Sequence, residues 1–160
     1  MRWLRAAEVT GGPRVVSIQN AYNLLNRTFE VNLAEACGRE EVTLLAYSPL
    51  AQGYLTGKYR GGALPAGSRK RLFERLQRYE RPNADEAIEA YCGLAAELGV
   101  SPTTLALAFV ASRGFVGSTI IGATTLEQLD ENLAAFAVEM TAEMAARIDE
   151  IHLRFPDPCP

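Results

Sequence analysis

Apolar residues along the chain fall into short β-branched runs, separated by segments with helical spacing. The three runs near residues 14–20, 42–47 and 118–122 are predicted to be strands. Each run is apolar at consecutive rather than alternate positions, which is typical of parallel strands packed under helices. The pattern therefore predicts an α/β fold with a parallel sheet.

Helical segments lie before, between and after these runs, and several carry start and stop signals. Thr125 is followed three residues later by Gln128, and Asn83 by Glu86, which is the spacing of a capping box. Ser101 precedes Pro102, as at many helix starts. The predicted helices cover residues 2–10, 28–37, a basic segment before Pro82, 83–98, 101–113, a segment from 126 and one after Thr141.

Three parallel strands are few for this number of helices, and they leave two open sheet edges. Parallel sheets usually contain more strands or close into a barrel, which removes the edges. We therefore expect residues 1–160 to form a single, incomplete domain of a larger architecture. Its open strand edges are a possible site for a complementing chain or for a second copy.

The segment 118–132 is the most informative part of the chain. An apolar run stops at Gly122, and small hydroxylated residues lead into the helix predicted to start at Thr125. A strand that points at a helix N-terminus offers unpaired N–H groups and a favourable dipole to an anion. This pattern predicts a ligand that carries phosphate.

Charge is unevenly distributed over the 160 residues, whose net charge is −3. Residues 58–81 contain eight basic and two acidic side chains, so this segment carries +6 and the remainder −9. Such a cluster either attracts a polyanion or forms a solvated helix face. Nucleic acid is disfavoured, because the pI is acidic and no aromatic residues interleave with the basic ones.

Other features narrow the class of protein. No apolar run approaches the ~18 residues of a membrane span, so no membrane association is expected. The three cysteines form no CxxC pair, which favours a reduced, cytoplasmic protein without disulfides. His152 is the single histidine and has no partner at metal-ligand spacing, so no metal site is predicted.

Three segments, taken in order, resemble the aldo-keto reductases. They are 17–25 (SIQNAYNLL), 46–59 (AYSPLAQGYLTGKY) and 121–132 (IGATTLEQLDEN). The likeness is greatest to the Tas-like and potassium-channel β-subunit-like branch, and it covers essentially the whole chain. It implies the C-terminal part, about three strand–helix units, of a (β/α)8 TIM barrel that binds NADP(H) at the carboxyl ends of its strands.

The resemblance also implies a set of cofactor-binding residues. Gln19 corresponds to the residue that binds the nicotinamide carboxamide, and Tyr47 to the aromatic residue on which the ring stacks. From the residues alone, the alternative for Gln19 is a polar strand end that faces solvent, and core packing is favoured for Tyr47. Lys58 and Arg69 correspond to basic positions near the phosphates. The loop that meets the pyrophosphate corresponds to Ser48, Pro49, Leu50 and Ala51.

The same likeness places the adenosine end of the cofactor on the segment after the third strand. Gly122 permits a close approach, and Glu131 and Asn132 correspond to adenine-binding positions; Thr124 and Gln128 complete this set. Many relatives carry a basic residue at or next to Thr124 to hold the 2′-phosphate. Thr124 is neutral, so NAD(H) stays open beside NADP(H).

No catalytic residue is predicted in this chain. The resemblance implies a tyrosine general acid, a lysine, an aspartate and a histidine, all from earlier strands of the barrel. His152 lies in the last predicted helix and is interpreted as a surface or packing residue. We therefore expect the C-terminal part of an NADP(H)-dependent carbonyl reductase, inactive alone and able to use a small carbonyl substrate only in a completed barrel. The alternative is a non-catalytic nucleotide-binding or protein-interaction module derived from a truncated reductase.

Overall fold

The structure, a computed structural model, describes residues 2–73 and 77–160. Its strands are β1 (Ser17–Ala21), β2 (Thr43–Tyr47) and β3 (Val116–Thr119). Its helices are α1 (Arg2–Thr10), α2 (Leu33–Arg39), α3 (Arg69–Phe73), α4 (Ala84–Glu97), α5 (Pro102–Ala111), α6 (Leu126–Ala135) and α7 (Ala142–Arg154). Short 3₁₀ turns occupy Thr28–Glu30, Ala51–Thr56, Arg60–Gly62 and Gln77–Tyr79.

The strands form one open parallel sheet in the order β1–β2–β3, which confirms the predicted α/β class. Ser17 is paired with Thr43, and Ala21 with Tyr47. On the other side of β2, Ala46 is paired with Thr119. Because all three strands run in the same direction, their carboxyl ends lie at one edge of the sheet.

Two strands are shifted relative to the sequence-based prediction. β1 extends to Ala21, and β3 begins at Val116 and ends at Thr119. The N–H of Ile120 still donates to the carbonyl of Ala46 (2.8 Å), after which the chain turns away towards α6. The apolar run alone did not locate this end, because pairing with β2 sets it.

One face of the sheet is covered, and the opposite face is open. Leu44 and Ala46 of β2 are fully buried, whereas Thr43 is exposed. The buried side contacts aromatic and aliphatic residues of α4, α5, α7 and the turn after β1, and these form the core. On β1, Gln19 is exposed. The face that carries Gln19 and Thr43 is therefore available to solvent in this chain.

The caps predicted at Ser101 and Thr125 are confirmed, and Thr141 forms a third that was not predicted. The hydroxyls of Ser101, Thr125 and Thr141 accept N–H groups in the first turns of α5, α6 and α7. The cap predicted at Asn83 is wrong, because Asn83 has a φ of 66° and its side chain makes no capping bond; α4 nevertheless begins directly after it. The helix predicted over 28–37 is also wrong as one element. It divides at Asn32, whose φ of 67° separates a 3₁₀ turn from α2.

The predicted basic helix corresponds in part to α3 and to the 3₁₀ turn Gln77–Tyr79; the remainder of that prediction lies at residues 74–76, outside the described residues. Within the described ranges, no single helix is long and apolar enough to cross a membrane. Only α4 and α5 together, across a 95° bend, have the necessary length and composition. All three cysteines are free and buried.

Candidate nucleotide-binding site

The carboxyl edge of the sheet brings the predicted site segments together. β2 ends at Tyr47, opposite Ala21 of β1, and the chain leaves β3 at Ile120, beside Ala46. The loops after β2 and β3 therefore start from adjacent strands. In open parallel sheets, ligands commonly bind at this edge.

The loop after β2 has an unusual backbone. Ser48, Ala51 and Gln52 have φ values of 54°, 49° and 58°, and Gly53 has 99°. Residues other than glycine rarely adopt this left-handed backbone conformation. Each one costs about 1–3 kcal/mol of folding free energy and persists only where surrounding contacts hold it. Strain of this kind concentrates at functional sites. The strained residues lie in the loop that the family resemblance implies for pyrophosphate binding, which is Ser48, Pro49, Leu50 and Ala51, and in the two residues that follow it.

Lys58 folds back onto this loop. A methyl group added at Gly53 would lie 2.8 Å from Lys58 Cε and 3.0 Å from its ammonium nitrogen, so the amine rests against the Gly53 backbone. The ammonium also lies 5.3 Å from the centre of the Tyr59 ring. The structure thus places a cation, which is itself exposed, directly beside the strained loop.

Tyr47 contacts a residue that the sequence did not indicate. Nη1 of Arg78 donates to the Tyr47 hydroxyl (3.2 Å), and the guanidinium carbon lies 5.9 Å from the ring centre. The hydrogen bond to Tyr47 raises the pKa of Arg78. Arg78 lies in the basic segment of the sequence, but no motif singled it out among the other basic residues. Tyr47 itself is half-buried, with part of its ring accessible at the sheet edge.

The junction between β3 and α6 forms a local hydrogen-bond network. Thr125 accepts the N–H of Gln128 (3.3 Å), as predicted for a cap. The side-chain oxygen of Gln128 accepts both the N–H (3.0 Å) and the hydroxyl (3.1 Å) of Thr124. In a capping box it would accept the N–H of Thr125 instead. Nδ2 of Asn132 donates to the carbonyl of Gly122 (3.4 Å), and Asn132 is buried. Four predicted residues are therefore bonded in two pairs, Thr124 with Gln128 and Gly122 with Asn132.

Other predicted residues lie farther from this network. Glu131 accepts the hydroxyl of Ser101 (2.6 Å) and so ties α6 to the start of α5. Arg69 is exposed at the start of α3. Its neighbour Lys70 fixes this helix, through its N–H to the Tyr59 hydroxyl (3.2 Å) and its ammonium to Glu80 (2.8 Å). Gln19 projects from β1 on the open face.

These features fit a nicotinamide dinucleotide in several respects. An aromatic ring, a strained loop with an adjacent ammonium and a capped helix start are grouped at one edge. A buried side-chain oxygen of Gln52 has no hydrogen-bond partner among the described residues, which leaves an acceptor available in the same loop. The 2′-phosphate position fits less well, because Thr124 and Thr125 are neutral and Glu127 follows.

Comparison with known proteins decides the family. The model of the Aldo/keto reductase family matches residues 1–153. The chain belongs to the aldo/keto reductase family. The resemblance seen in the three sequence segments is thereby confirmed, including its Tas-like character.

Among the relatives of this aldo/keto reductase chain is Protein tas of Escherichia coli K12. The two are 46% identical over 160 residues, which is 100% of this chain and 46% of that protein. A putative voltage-gated potassium channel subunit beta of Schizosaccharomyces pombe is 35% identical over 144 residues, 85% of this chain and 42% of that protein. The NADH-specific methylglyoxal reductase of E. coli is 31% identical over 134 residues, with coverages of 84% and 41%. This aldo/keto reductase chain thus spans less than half the length of these three relatives.

Proposed function

We propose that this chain binds a nicotinamide dinucleotide, NADP(H) or NAD(H), at the carboxyl edge of its sheet. It does so as the C-terminal part of an aldo-keto oxidoreductase that reduces carbonyl groups in a barrel of (β/α)8 type. Membership of the family supports this proposal, since family members use nicotinamide cofactors. The observation that carries it is the strained loop beginning at Ser48, with Lys58 held against it.

Each group at this edge has a distinct physical role in the proposal. The Tyr47 ring offers a flat apolar surface for the nicotinamide, and Gln19 an amide for its carboxamide. The Lys58 ammonium neutralises pyrophosphate charge beside the loop. The start of α6 provides a positive dipole end near the adenosine. When bound, the nicotinamide supplies the hydride that carbonyl reduction requires.

Four of the six tyrosines of this chain argue against proton donation by the chain itself. A general acid that works near neutral pH needs a lowered pKa. Burial and the hydrogen bond to Glu30 raise the pKa of Tyr22, and burial with the bond to Glu80 raises the pKa of Tyr54. Burial also raises the pKa values of Tyr79 and Tyr91. We therefore expect nucleotide binding without turnover.

Titration of the purified chain with NADH and NADPH, followed by nucleotide fluorescence, tests the proposed binding. We expect saturable binding that weakens about tenfold in Lys58→Ala, because one charge-assisted contact is lost. Arg39→Ala is a matched control, since Arg39 is an exposed cation at the end of α2 that is paired with Glu35. Absence of binding by the unaltered chain, or equal loss in both variants, would contradict the proposal.

The expected lack of turnover is tested by adding 4-nitrobenzaldehyde to the chain with NADPH or NADH and following the cofactor absorbance. Steady cofactor consumption by the chain alone would show that it contains a proton donor. That result would overturn the non-catalytic part of the proposal and leave the binding part intact.

A second candidate function, a protein-interaction module, is favoured by the sheet edges. β1 and β3 are each paired on one side only, and Val16 and Ile120, next to these strands, are 67% and 41% exposed. Unpaired strand edges with adjacent apolar residues are templates for pairing with another chain. Light scattering at increasing protein concentration tests this by measuring the molar mass. A chain that stays monomeric, both alone and when a related aldo/keto reductase is added, would count against this function.

A further inference from the structure

Asn23 is a buried side chain that contacts the loop of the candidate site from the protein interior. It lies two residues after the end of β1 and is fully buried. Its Nδ2 donates to the carbonyl of Ser48 (2.9 Å) and to the hydroxyl of Tyr79 (3.1 Å), and its Oδ1 accepts the N–H of Leu25 (2.9 Å). Both ends of the amide are therefore used, as expected for a buried polar side chain.

The backbone around Asn23 is itself held firmly. Asn23 and Asn26 exchange two backbone hydrogen bonds of 3.1 and 3.0 Å, which close a tight turn. The C-terminal residues anchor this turn from outside. The N–H of Cys159 donates to the carbonyl of Leu25 (3.0 Å), and the N–H of Arg27 donates to Asp157 (2.5 Å).

The carbonyl that Asn23 holds belongs to the residue where the strained loop begins. Ser48 has a φ of 54°, and its carbonyl also accepts the N–H of Ala51 (2.9 Å). A non-glycine residue stays in this conformation only when its surroundings supply enough compensating contacts. The Asn23 amide is one such contact, and it determines the direction in which the chain leaves β2.

The second hydrogen bond extends this effect to Tyr47. Tyr79 is fully buried and adjoins Arg78, which donates to the Tyr47 hydroxyl. One amide group thus links the loop after β2 to the short segment that covers part of the Tyr47 ring. Asn23 therefore supports both the Ser48 loop and, through the Tyr79–Arg78 segment, the position of the Tyr47 side chain.

We infer that Asn23 is a positioning residue, which holds the Ser48 loop and the Tyr79–Arg78 segment in the geometry that receives the dinucleotide. This inference rests on the proposed function. Asn23 is fully buried and contacts the proposed pyrophosphate loop only through the carbonyl of Ser48, so it acts through Ser48 and Tyr79.

The first test compares Asn23→Ala with Asn26→Ala. Asn26 is a buried asparagine in the same turn, but its side chain accepts hydrogen bonds only from Thr28 among the described residues. We expect NADH affinity to fall about tenfold in Asn23→Ala and less than about threefold in Asn26→Ala. Equal losses in the two variants would overturn the inference, since they would indicate a general effect on the turn.

A second variant, Asn23→Asp, separates positioning from simple packing. The aspartate has the same shape but, when ionised, cannot donate to the Ser48 carbonyl. Protonation of the aspartate restores one donor. Because burial raises the pKa of a carboxyl group, the NADH affinity of this variant should recover as the pH is lowered from about 8 to about 6. The unaltered chain should show no such recovery. A flat pH profile in Asn23→Asp would contradict a role through this hydrogen bond.

Limited trypsin cleavage after Lys58 gives a readout that needs no nucleotide. Release of the loop should make cleavage at this exposed lysine several-fold faster in Asn23→Ala than in the unaltered chain or Asn26→Ala. Faster cleavage in a chain that binds neither NADH nor NADPH would support the positioning role and refute the proposed function. Unchanged cleavage together with unchanged affinity would refute the positioning role alone.

Discussion

At the residue scale, a few backbone conformations define the candidate site. Gly53 has a φ of 99°, which selects glycine, and it also approaches the end of the Lys58 side chain closely. Ser48, Ala51 and Gln52 adopt similar φ values although they carry side chains. The loop therefore depends on contacts from elsewhere, among them Asn23.

Gly53→Ala should damage this loop in two ways. The new methyl group meets the Lys58 side chain at 2.8–3.0 Å and also forces alanine into a strained conformation. We expect about 1–2 kcal/mol lower free energy of unfolding and at least about tenfold weaker NADH binding. Gly61→Ala is the control, because Gly61 has a φ of 61° but no atom near the added methyl group. It should lower stability without weakening nucleotide binding; urea unfolding and fluorescence titration measure both effects.

Thr124 controls the expected choice between the two nucleotides. Thr124 and Thr125 are neutral, and no basic side chain lies within the segment 122–132. Thr124→Arg should therefore strengthen NADPH binding about tenfold and leave NADH binding nearly unchanged, because guanidinium groups pair well with phosphate. Thr124→Gln supplies a long neutral side chain as control. Equal gains for NADH and NADPH would show that the 2′-phosphate does not reach this residue.

At the element scale, two helices with the same cap allow function to be separated from stability. Thr125 caps α6 at the candidate site, and Thr141 caps α7 by the same hydroxyl-to-N–H bond. Thr125→Ala and Thr141→Ala should each lower the free energy of unfolding by about 1 kcal/mol. Only Thr125→Ala should also weaken nucleotide binding, since α6 follows β3 at the carboxyl edge of the sheet, whereas α7 follows α6. The comparison needs thermal unfolding and NADPH titration of both variants; weaker binding in Thr141→Ala would mean that destabilisation alone accounts for the effect.

Elements set by local chemistry could be predicted from the sequence, whereas those set by contacts between distant segments could not. The hydroxyl caps of α5, α6 and α7 involve residues three positions apart; those at Ser101 and Thr125 were predicted, and α7 was predicted to start after Thr141. The break at Asn32 depends on packing and was not predicted. The end of β3 depends on strand pairing and was predicted too late in the chain. The site shows the same division. Arg78 meets Tyr47 across 31 residues, and Asn23 meets Tyr79 across 56, without any local signal.

At the scale of the whole molecule, a charged cluster joins the turn after β1 to α7 and the C-terminal residues. The Arg27 guanidinium is buried and pairs with Glu30 (2.8 Å) and Asp149 (2.7 Å). Burial opposes the charge on both Arg27 and Glu30, but it is outweighed by their mutual hydrogen bonds and charges together with the bonds from Arg27 to Asp149 and from Tyr22 to Glu30, so the pKa of Arg27 is raised and that of Glu30 is lowered. Arg27→Leu should lower the free energy of unfolding by about 2 kcal/mol, less than for a fully buried pair because Asp149 is half exposed. Chemical denaturation measures this, with Arg39→Leu as an exposed control.

His152 of α7 lies close to this cluster and gives the molecule a specific pH dependence. Its Nδ1 is buried without a partner among the described residues. Burial first, and the charge of Arg27 second, lower the pKa of His152, although Asp157, Glu30 and Asp149 oppose the shift. The unfolded chain therefore takes up a proton near pH 6.5, whereas the folded chain takes it up only at lower pH.

The free energy of unfolding should consequently fall as the pH drops below about 6.5, by at most ~1.4 kcal/mol per pH unit, and the fall should level off once the folded histidine is protonated. Glu30 does not interfere in this window, because its lowered pKa means that its contribution is lost only below the ordinary carboxyl range. His152 is the only histidine, so His152→Asn should remove the slope between about pH 7 and pH 5.5. Urea unfolding of both chains at these pH values measures the difference. An identical slope in the variant would mean that another group titrates, and that burial does not hold His152 neutral.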